Sequence, residues 1–541
     1  MLALSTRRCK SYLTSSYVKI ERHFLNVNVY PWISSRLGAV AMAHDRVIVI
    51  GAGIAGLVSA LLLANRGAAV ILVERASQPG GKMRELEVAG RRIDAGPTVF
   101  TMRWVFDEIL AEAGTRLEDQ LRLYPLEILA RHAWNARERL DLFADLGRSV
   151  EAIGDFAGAA EARRYRDFCQ AARGVYETLE QPFIRASRPS PVGLVGRIGP
   201  FGLKGLWKIR PFETLWEALG GHFQDPRLRQ LFGRYATYCG SSPFLAPATL
   251  MLIAHVEQAG VWAVEGGMHQ TARMLARLAE AKGASIRYGA EVTDILVQGG
   301  RARGVRLAGG DCLEAEALVL NADVAALRAG LFGSRVPLLP PPDPGAQRSL
   351  SALTWALVAE TSGFPLARHN VFFSRDYAAE FDAIFREGRL PAAPTVYVCA
   401  QDRGEGQAQP PAGPERLLCL VNAPPMGDTH PFAPAEIESC EQSAFSLLEQ
   451  CGLRVERTAT ACRLTTPTDF NRLFPATGGA LYGQASHGWK ASFNRPGTRT
   501  RLPGLYLAGG SVHPGAGVPM AALSGRLAAE FLLSDLTSTS R

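Results

Sequence analysis

The amino-acid sequence predicts an α/β fold on three observations. Residues 47–64, VIVIGAGIAGLVSALLLA, join a β-branched apolar run to a helical apolar stretch through three glycines. The following AAVILVER has the composition of another buried strand and ends near an acid. The C-terminal GLYLAGGSVHPGAGVPMAALSGRLAAE has the pattern of a strand, a glycine-rich loop and a helix. Alternation of strands and helices is typical of a parallel sheet covered by helices.

Composition places the chain among ordinary globular proteins. Of its 541 residues, 47% are apolar and 20% are charged, which excludes disordered, collagen-like and coiled-coil classes. Division by about 150 residues per domain predicts three or four domain-sized lobes. Nine cysteines without a C-x-x-C pair argue against a disulfide framework and against zinc or iron–sulfur sites. We therefore expect no metal and a reducing, cytoplasmic setting.

The net charge of +8 is unevenly distributed along the chain. Residues 1–42 contain six basic residues and one acidic residue, so they carry +5 and the remaining 499 residues carry +3. Because the rest of the chain is nearly neutral, we expect no nucleic-acid partner. The N-terminal extension 1–42 is Ser-rich and acid-poor, which fits a targeting segment. Alternatively, translation starts at Met42, directly before AHDRVIVIGAGIAG.

The most specific local motif is Gly51-x-Gly53-x-x-Gly56, between the first predicted strand and its helix. Here the first glycine makes a tight turn, the second lets backbone approach a pyrophosphate, and the third permits close helix–strand packing. The helix N-terminus offers N–H groups to the phosphates. Glu74 ends the second strand, eighteen residues after Gly56, where its carboxylate can accept the ribose hydroxyls. The spacing predicts a dinucleotide site.

Glycine-rich turns elsewhere extend this prediction. Gly81 and Lys82 follow the second strand in QPGGKM, where a glycine pair gives backbone freedom beside a phosphate and Lys82 or Arg84 supplies countercharge. A plain surface turn is the alternative. Gly510 ends the last strand, and the turn that follows can present N–H groups to a flavin. His513 in this loop is the candidate catalytic acid or base, and the alternative is a loop histidine bonded to backbone.

The chain has one dinucleotide fingerprint, whereas flavoenzymes that oxidise NAD(P)H commonly have two. A tightly held FAD with another electron acceptor is therefore favoured. No Ser-His-Asp, Cys-His or paired-carboxylate arrangement has diagnostic spacing. Because side chains cannot accept a hydride, redox chemistry would belong to the cofactor.

The segment 194–219 combines cations with aromatic side chains. Its first part, 194–210, has four basic residues and no acid, interleaved with apolar residues such as Trp207. This pattern is typical of an interfacial segment whose apolar groups enter lipid while its cations meet headgroups. The alternative is a connector packed on the protein. The one long uncharged run coincides with the glycine motif, so no transmembrane helix is predicted.

Several stretches form a recognisable set, namely RVIVIGAGIAGL, ERASQPGGKMRELEVAGRRIDAGPTVFTM, GGMHQTARMLARLAEAKGASIRYGAEVTDILVQGGRARGVRLAGG, LVLNAD, TTPTDFNRLFPATGGALYG and GLYLAGGSVHPGAGVPMAALSGRLAAE. Together they resemble the bacterial-type phytoene desaturase family of carotenoid and retinoid oxidoreductases over residues 46–533. Within the family, GPTVFTMRWVFDE and KASFNRPGTRTRLPGLYLAGG are most similar to hydroxycarotenoid 3,4-desaturases (methoxyneurosporene dehydrogenases). One departure is Ser511-Val512, where the family often has GA-x-THPGAG.

The resemblance implies a fold like that of flavin amine oxidases. A Rossmann-like FAD-binding domain is expected from residues 43–100, 260–330 and 495–535, and an α+β lobe facing substrate and membrane from 101–259 and 331–494. The implied cofactor is FAD. The FAD contacts carried over by motif are Gly51, Gly53, Gly56, Glu74, Arg75, Gly81, Lys82, Gly96, Val292, Gly510 and Met520.

The resemblance also implies a desaturase that passes a hydride from a long, apolar, acyclic carotenoid to flavin. The expected electron acceptor is quinone or dioxygen. Burial of each methylene contributes about 0.8 kcal/mol, so a substrate of roughly forty carbons resides in lipid. We therefore expect a cytoplasmic protein, peripheral on the inner or photosynthetic membrane through residues 194–219. The alternatives are a phytoene desaturase or carotenoid isomerase of the same family, a related flavin oxidase, and a non-catalytic prenyl-lipid-binding protein.

Overall fold

The computed structural model describes residues 45–187, 210, 212–333, 339, 346–404 and 411–539. The N-terminal extension and most of the segment 194–219, including Trp207, lie outside the described residues, so the predictions for them stay predictions. Within the described ranges, no helix combines the length and apolarity needed to cross a membrane. Among the same residues, no group of His, Cys, Asp and Glu side chains is arranged to hold a metal ion.

The described residues form strands and helices in nearly regular alternation at first, and then in longer runs. In chain order the strands are β1 (Arg46–Ile50), β2 (Ala69–Glu74), β3 (Glu85–Val88), β4 (Arg91–Asp94), β5 (Leu123–Pro125), β6 (Ile128–Ala133), β7 (Arg139–Phe143), β8 (Trp262–Val264), β9 (Ser285–Tyr288), β10 (Val292–Gln298), β11 (Arg301–Leu307), β12 (Cys312–Glu314), β13 (Ala317–Leu320), β14 (Ser351–Ser362), β15 (His369–Phe372), β16 (Val396–Ala400), β17 (Glu415–Ala423), β18 (Arg454–Glu456), β19 (Cys462–Thr465) and β20 (Leu505–Leu507).

Short 3₁₀ and π turns extend several of the helices. In chain order the α-helices are α1 (Ile54–Asn65), α2 (Arg103–Glu112), α3 (Leu117–Gln120), α4 (Leu146–Ala157), α5 (Ala159–Leu179), α6 (Leu215–His222), α7 (Pro226–Gly233), α8 (Leu252–Gln258), α9 (His269–Ala281), α10 (Val324–Arg328), α11 (Tyr377–Asp382), α12 (Pro434–Gln450), α13 (Pro467–Leu473) and α14 (Val518–Thr539).

The first sheet is parallel throughout, with the spatial order β20-β13-β1-β2-β9. Its central strands β1 and β13 are buried on both faces, which explains their uninterrupted apolar sequences VIVI and ALVL. Helix α1 is apolar all round because it is enclosed by the sheet and by α9 and α14. The predicted α/β fold with a parallel sheet is confirmed.

The strands of the parallel sheet come from three distant stretches of chain. They lie within residues 46–74, 285–320 and 505–507, and each stretch falls inside one of the segments predicted for the FAD domain. Strand β8 departs from that division, because it pairs with β5 of the other lobe. The domain limits themselves stay a prediction.

The second large sheet is mixed, with the order β18-β14-β17-β16-β15-β6-β7 and β19 beside β14. One of its faces packs on α12 around the buried Trp355 and Phe372. The strands β6, β7 and β15 also pack on α4, α5 and the helices that follow, around Phe168, Phe223 and Phe232. This aromatic cluster fixes the position of α8 and of the 3₁₀ turn Arg234–Cys239.

Candidate functional site

A cavity of about 1400 Å³ lies between the two large sheets. Residues that follow the carboxyl ends of β1, β2, β13 and β20 form one wall, and residues of β14, β16 and β17 form part of the opposite wall. Ligands of open α/β sheets bind outside the carboxyl ends of the strands. Since typical ligand pockets measure about 300–1,000 Å³, this cavity is large enough for two molecules side by side.

The turn between β1 and α1 brings bare backbone to the cavity. Gly51 has φ +98° and its N–H donates to the Val73 carbonyl oxygen at 2.8 Å. A Cβ atom on Gly56 would lie 2.0 Å from the Gly51 carbonyl oxygen, so only glycine fits where α1 meets β1. Gly51 and Gly53 line the cavity and Gly56 lies behind them. The three glycines thus have the positions that the motif predicts.

Asn321, the first residue after β13, holds this turn in place. Its Oδ1 accepts from the Gly56 N–H at 3.0 Å, and its Nδ2 donates to the Ala508 carbonyl oxygen at 3.0 Å. The side chain therefore connects the ends of β1, β13 and β20. The sequence showed Asn321 only as part of LVLNAD; its role was missed because the partner Gly56 lies 265 residues away.

Glu74 ends β2 and lines the same wall. Its Oε2 accepts from the Ala52 N–H at 2.7 Å, and its Oε1 accepts from the Ala76 N–H at 2.8 Å. An ionised carboxylate has about four acceptor positions, so two remain for ribose hydroxyls. Arg75 lines the cavity next to it and donates to the carbonyl oxygens of Arg472 and Leu473.

The loop after β2 crosses in front of the glycine turn. The Gly80 N–H donates to the Ala52 carbonyl oxygen at 2.8 Å, and a Cβ atom on Gly81 would lie 3.2 Å from the Gly53 Cα. A Cβ atom on Gly96 would lie 2.0 Å from the Lys82 carbonyl oxygen. Side chains at these positions would therefore fill the space in which the backbones approach each other.

Lys82 extends from this loop toward the FPATGGALYG stretch. Its Nζ donates to the Leu481 carbonyl oxygen at 2.8 Å and lies 3.7 Å from Asp323 Oδ2. Burial lowers the pKa of Lys82, and the Asp323 carboxylate opposes that shift. The ammonium group therefore neutralises Asp323 inside the wall in addition to lining the cavity.

The remaining predicted contacts also line the cavity. Val292 begins β10, and Met520 lies in the first turn of α14, whose N-terminus faces the cavity. The Gly510 carbonyl oxygen accepts from Arg495 Nη1 at 3.0 Å. Arg495 also donates to the carbonyl oxygens of Tyr482 and Gln484, so this buried guanidinium fixes the C-terminal glycine loop. No sequence motif points to Arg495, because its partners are backbone atoms.

His513 does not line the cavity. Its side chain is buried, and Nε2 lies 2.9 Å from the Phe183 carbonyl oxygen. Burial lowers the pKa of His513 to about 4, so the ring is neutral near pH 7. This geometry matches the alternative prediction of a loop histidine bonded to backbone.

The other half of the cavity wall is mainly apolar and aromatic, and it contains a few ionisable side chains. Its apolar members include Met102, Leu179, Phe183, Leu250, Leu252, Ile253, Leu418, Leu420 and Phe493. The ionisable side chains Arg234 and Glu257 lie on this wall with the phenols of Tyr238 and Tyr397. An exposed aromatic pair, Phe212 and Trp489, also lines the cavity, with ring centroids 5.5 Å apart.

Comparison with known proteins identifies the architecture. The family described as flavin containing amine oxidoreductase matches residues 54–533, nearly all of the chain. The chain belongs to the flavin-containing amine oxidoreductase family. Among solved structures of this fold, an oxidoreductase from Methanosarcina mazei superposes with a TM-score of 0.56 at 17% identity, covering 90% of this chain and 100% of its own. Putrescine oxidase bound to putrescine gives 0.56 at 15% identity, with 91% and 99% covered.

Curated relatives narrow the position of the chain within the flavin-containing amine oxidoreductases. A hydroxyneurosporene desaturase from Rubrivivax gelatinosus is 60% identical, covering 93% of this chain and 96% of the relative. Hydroxyneurosporene desaturases from Cereibacter sphaeroides and Rhodobacter capsulatus are 48% and 44% identical, each with 92% of this chain and 99% of the relative covered. The predicted membership among carotenoid desaturases is confirmed.

FAD is the cofactor of the flavin-containing amine oxidoreductases, and the residues of this chain fit it. The glycine turn after β1 offers backbone to a pyrophosphate. A side chain would not fit at this turn, because a Cβ atom on Gly53 would lie 2.6 Å from Asn321 Oδ1. Glu74 has free acceptor positions for a ribose, and the N-terminus of α14 offers N–H groups further along the cavity. The individual FAD contacts stay predictions on this geometry.

Proposed function

We propose that the chain is an FAD-dependent desaturase that introduces a carbon–carbon double bond into an acyclic carotenoid with a hydroxylated or methoxylated end. The observation that carries this proposal is the 60% identity, over 93% of the chain, to a hydroxyneurosporene desaturase. The apolar wall supports it, because a polyene needs an apolar cavity that is continuous with the FAD site. A phytoene desaturase or a carotenoid isomerase of the same family is the second candidate.

Bound FAD supplies the hydride acceptor of this reaction. The backbone of Gly51 and Gly53 and the N-terminus of α14 line one wall of the cavity and would hold the cofactor there. The apolar side chains of the opposite wall, such as Ile253 and Leu418, orient the polyene and exclude water. A proton on a carbon next to a cation delocalised along the polyene is acidic, so no strong protein base is needed.

The carotenoid is expected to enter from a membrane surface through the aromatic pair. Phe212 is 81% exposed and Trp489 is 37% exposed, and Lys490 Nζ lies 5.3 Å from the Trp489 ring centroid. Exposed aromatic rings beside a cation are typical of interfacial contact. We infer peripheral binding on the cytoplasmic side of the membrane through Trp489 and through Phe212, which is a residue of the segment 194–219. The expected electron acceptor is quinone or dioxygen.

Vesicle flotation tests this membrane contact. Replacing Phe212 and Trp489 together by Ser is expected to lower the fraction of holoenzyme that floats with anionic vesicles at least threefold, since about 1–3 kcal/mol of transfer free energy is lost per ring. Leu464→Ser, which alters an exposed apolar residue of β19, is the matched control. Equal flotation of all three proteins would place the membrane contact elsewhere.

The desaturase activity is tested with FAD-loaded protein in liposomes. Acyclic carotenoids with and without a terminal hydroxyl are supplied, and product absorption and mass are followed. We expect a product that has lost two hydrogen atoms and absorbs at longer wavelength. A product of unchanged mass would indicate an isomerase, and reaction of the unhydroxylated precursor alone would indicate a phytoene desaturase. Protein that binds no flavin would indicate a non-catalytic lipid-binding protein.

A further inference from the structure

A cluster of polar side chains lies in the otherwise apolar half of the cavity wall. It consists of Arg234, Tyr235 and Tyr238 from the 3₁₀ turn Arg234–Cys239, and Glu257 from α8. Arg234, Tyr238 and Glu257 line the cavity, whereas Tyr235 lies behind the wall. The exposed fraction of Glu257 is 6% and that of Tyr235 is 4%. Ionisable groups in an apolar cavity cost desolvation free energy, so their presence indicates a polar ligand group.

Both tyrosines donate to the same carboxylate. The Tyr235 hydroxyl donates to Glu257 Oε2 at 2.6 Å, and the Tyr238 hydroxyl donates to Glu257 Oε1 at 2.5 Å. Burial raises the pKa of Tyr238, and the neighbouring Glu257 raises it further, so the phenol keeps its proton. Because that proton is engaged with Glu257 and Arg234 donates to one lone pair of the phenol oxygen, the other lone pair of Tyr238 is left for a donor from the cavity.

Arg234 supplies donors beside this acceptor. Its guanidinium carbon lies 5.5 Å from the Tyr238 ring centroid and 5.3 Å from the Tyr397 ring centroid. Among the residues that the structure describes, no Asp or Glu oxygen lies within ion-pair distance of Arg234. The phenols of Tyr238, Tyr377 and Tyr397 and the carboxyl group of Glu257 interact with it electrostatically, and Tyr238 accepts a hydrogen bond from it. A guanidinium has five N–H donors in a fixed plane, so it can present one to an oxygen in the cavity.

The cluster is close to the loop predicted to hold the flavin. Gly240 directly follows the 3₁₀ turn, and a Cβ atom on it would lie 2.5 Å from the Tyr482 ring. The Tyr482 carbonyl oxygen accepts from Arg495, which also donates to the Gly510 carbonyl oxygen. Tyr482 and Arg495 therefore connect the end of the 3₁₀ turn with Gly510. A substrate end bound at the cluster lies in the part of the cavity where substrate meets cofactor.

We propose that Arg234 and Tyr238 bind the free hydroxyl group at the end of the carotenoid. An Arg234 N–H donates to the hydroxyl oxygen, and the hydroxyl proton is donated to the phenol oxygen of Tyr238. Glu257 positions Tyr238 by accepting a hydrogen bond from its hydroxyl group. This inference deepens the proposed function and rests on it, because it identifies the residues that select a hydroxylated end.

The arrangement predicts an order of substrates. An unsubstituted end leaves the guanidinium and the phenol oxygen unpaired and desolvated, and sites built to bind a hydroxyl reject analogues that lack it. A methyl ether accepts from Arg234 but has no proton for Tyr238. We expect kcat/KM to fall about 10- to 100-fold from hydroxylated to unsubstituted substrate, with the methyl ether between them.

The test compares kcat/KM of FAD-loaded protein in liposomes for an acyclic carotenoid with and without its terminal hydroxyl. Tyr238→Phe and Arg234→Met are expected to lower the value for the hydroxylated substrate about 10-fold or more, mainly through KM, and to leave the unsubstituted substrate within about threefold. In these variants, the ratio of kcat/KM for the hydroxylated substrate to kcat/KM for the unsubstituted substrate therefore approaches one. Tyr235→Phe removes the same kind of hydrogen bond to the same carboxylate from behind the wall and is expected to leave the ratio unchanged.

The outcomes separate this inference from the proposed function. If wild-type protein desaturates carotenoids but Tyr238→Phe and Arg234→Met leave the hydroxyl preference intact, or if the wild type has no preference, the inference is wrong and the function stands. If the wild type desaturates no carotenoid, the proposed function is wrong. Flavin content and melting temperature verify folding of each variant. Should Arg234→Met not fold, Arg234→Lys replaces it, and an unchanged ratio there overturns the role of Arg234.

Discussion

The cavity has a nucleotide end, at the glycine turn between β1 and α1, and a substrate end, at Arg234, Tyr238 and Glu257. The two ends are built differently. The nucleotide end is made of backbone, at glycines such as Gly53 and Gly56 where a Cβ atom would collide with a neighbour. The substrate end is made of side chains, among them Tyr238 and Glu257, which come from separate elements. Backbone contacts tolerate almost no substitution, whereas side-chain contacts can be exchanged one at a time. Selectivity can therefore change in this fold while cofactor binding stays constant.

Gly56→Ala is expected to have the largest effect, because it places a Cβ atom 2.0 Å from the Gly51 carbonyl oxygen and 3.0 Å from Asn321 Oδ1. Forcing an atom into packed structure costs about 1–3 kcal/mol or more, and here the shift would open the phosphate turn. We expect purified Gly56→Ala protein to retain less than about a tenth of the wild-type flavin. The flavin-to-protein absorption ratio after desalting measures this.

Gly174→Ala is the matched control for that substitution. Gly174 lies in α5, and a Cβ atom there would have no heavy atom within 4 Å. Alanine in a helix interior is favoured over glycine by about 0.8–1.0 kcal/mol, so the control is expected to keep its flavin and gain stability. Full flavin content in Gly56→Ala would contradict the interpretation of this turn as a backbone cradle.

Asn321→Ala is expected to have an intermediate effect confined to the nucleotide end. It leaves the Gly56 N–H and the Ala508 carbonyl oxygen without their partner, at a cost of about 1–3 kcal/mol each. We expect a lower free energy of unfolding in urea and about 10-fold weaker FAD binding, with an unchanged preference between hydroxylated and unsubstituted carotenoids. A changed preference would show that the two ends are coupled, and Asn321→Asp, which keeps the acceptor, should lie between alanine and wild type.

The smallest expected effect is a loss of folding stability in acid. It comes from two buried histidines in the substrate lobe. Burial lowers the pKa of His132 to about 3 and that of His369 to about 3, so both rings are neutral when folded. The unfolded chain takes up protons on them below pH 6.5, while the folded chain does so only near pH 3. The contribution of these histidines to the free energy of unfolding should therefore be fully present above pH 6.5 and fall by about 1.4 kcal/mol per histidine for each pH unit well below it, down to about pH 3.

Urea unfolding at pH 7.5, 6.5, 5.5 and 4.5 measures this slope. His369→Gln is expected to make the slope shallower, because it removes one of the groups that take up a proton on unfolding. An identical slope for wild type and His369→Gln would show that other groups control the acid sensitivity.

The two ends also differ in how far the sequence predicts them. The glycine turn was predictable because its contacts are local and impose fixed spacing between Gly51, Gly53 and Gly56. Asn321 and Arg495 were not, because each acts on backbone atoms brought close only by the fold. The sequence likewise drew attention to His513, which the fold places behind the cavity wall.

For the substrate end, the sequence predicted an apolar substrate but none of the residues that line the wall. Tyr235 and Tyr238 are three residues apart, so both can face one partner, but nothing in the spacing indicates that the partner is Glu257. The carboxylate reaches them because α8 packs against the aromatic cluster of the second lobe. Contacts of this kind depend on packing between elements, and no short motif records them.

The division of the parallel sheet among distant stretches has a consequence for biosynthesis. The edge strand β20 and helix α14 are made more than 400 residues after α1, and α14 packs so closely on α1 that a Cβ atom on Gly525 would lie 2.2 Å from the Ala55 carbonyl oxygen. At about 5–20 residues per second, translation of the chain takes roughly half a minute to two minutes. Throughout that time α1 lacks its partner. The face of α1 that contacts α14 is therefore expected to stay uncovered for most of synthesis, although the sheet and α9 cover its other faces earlier.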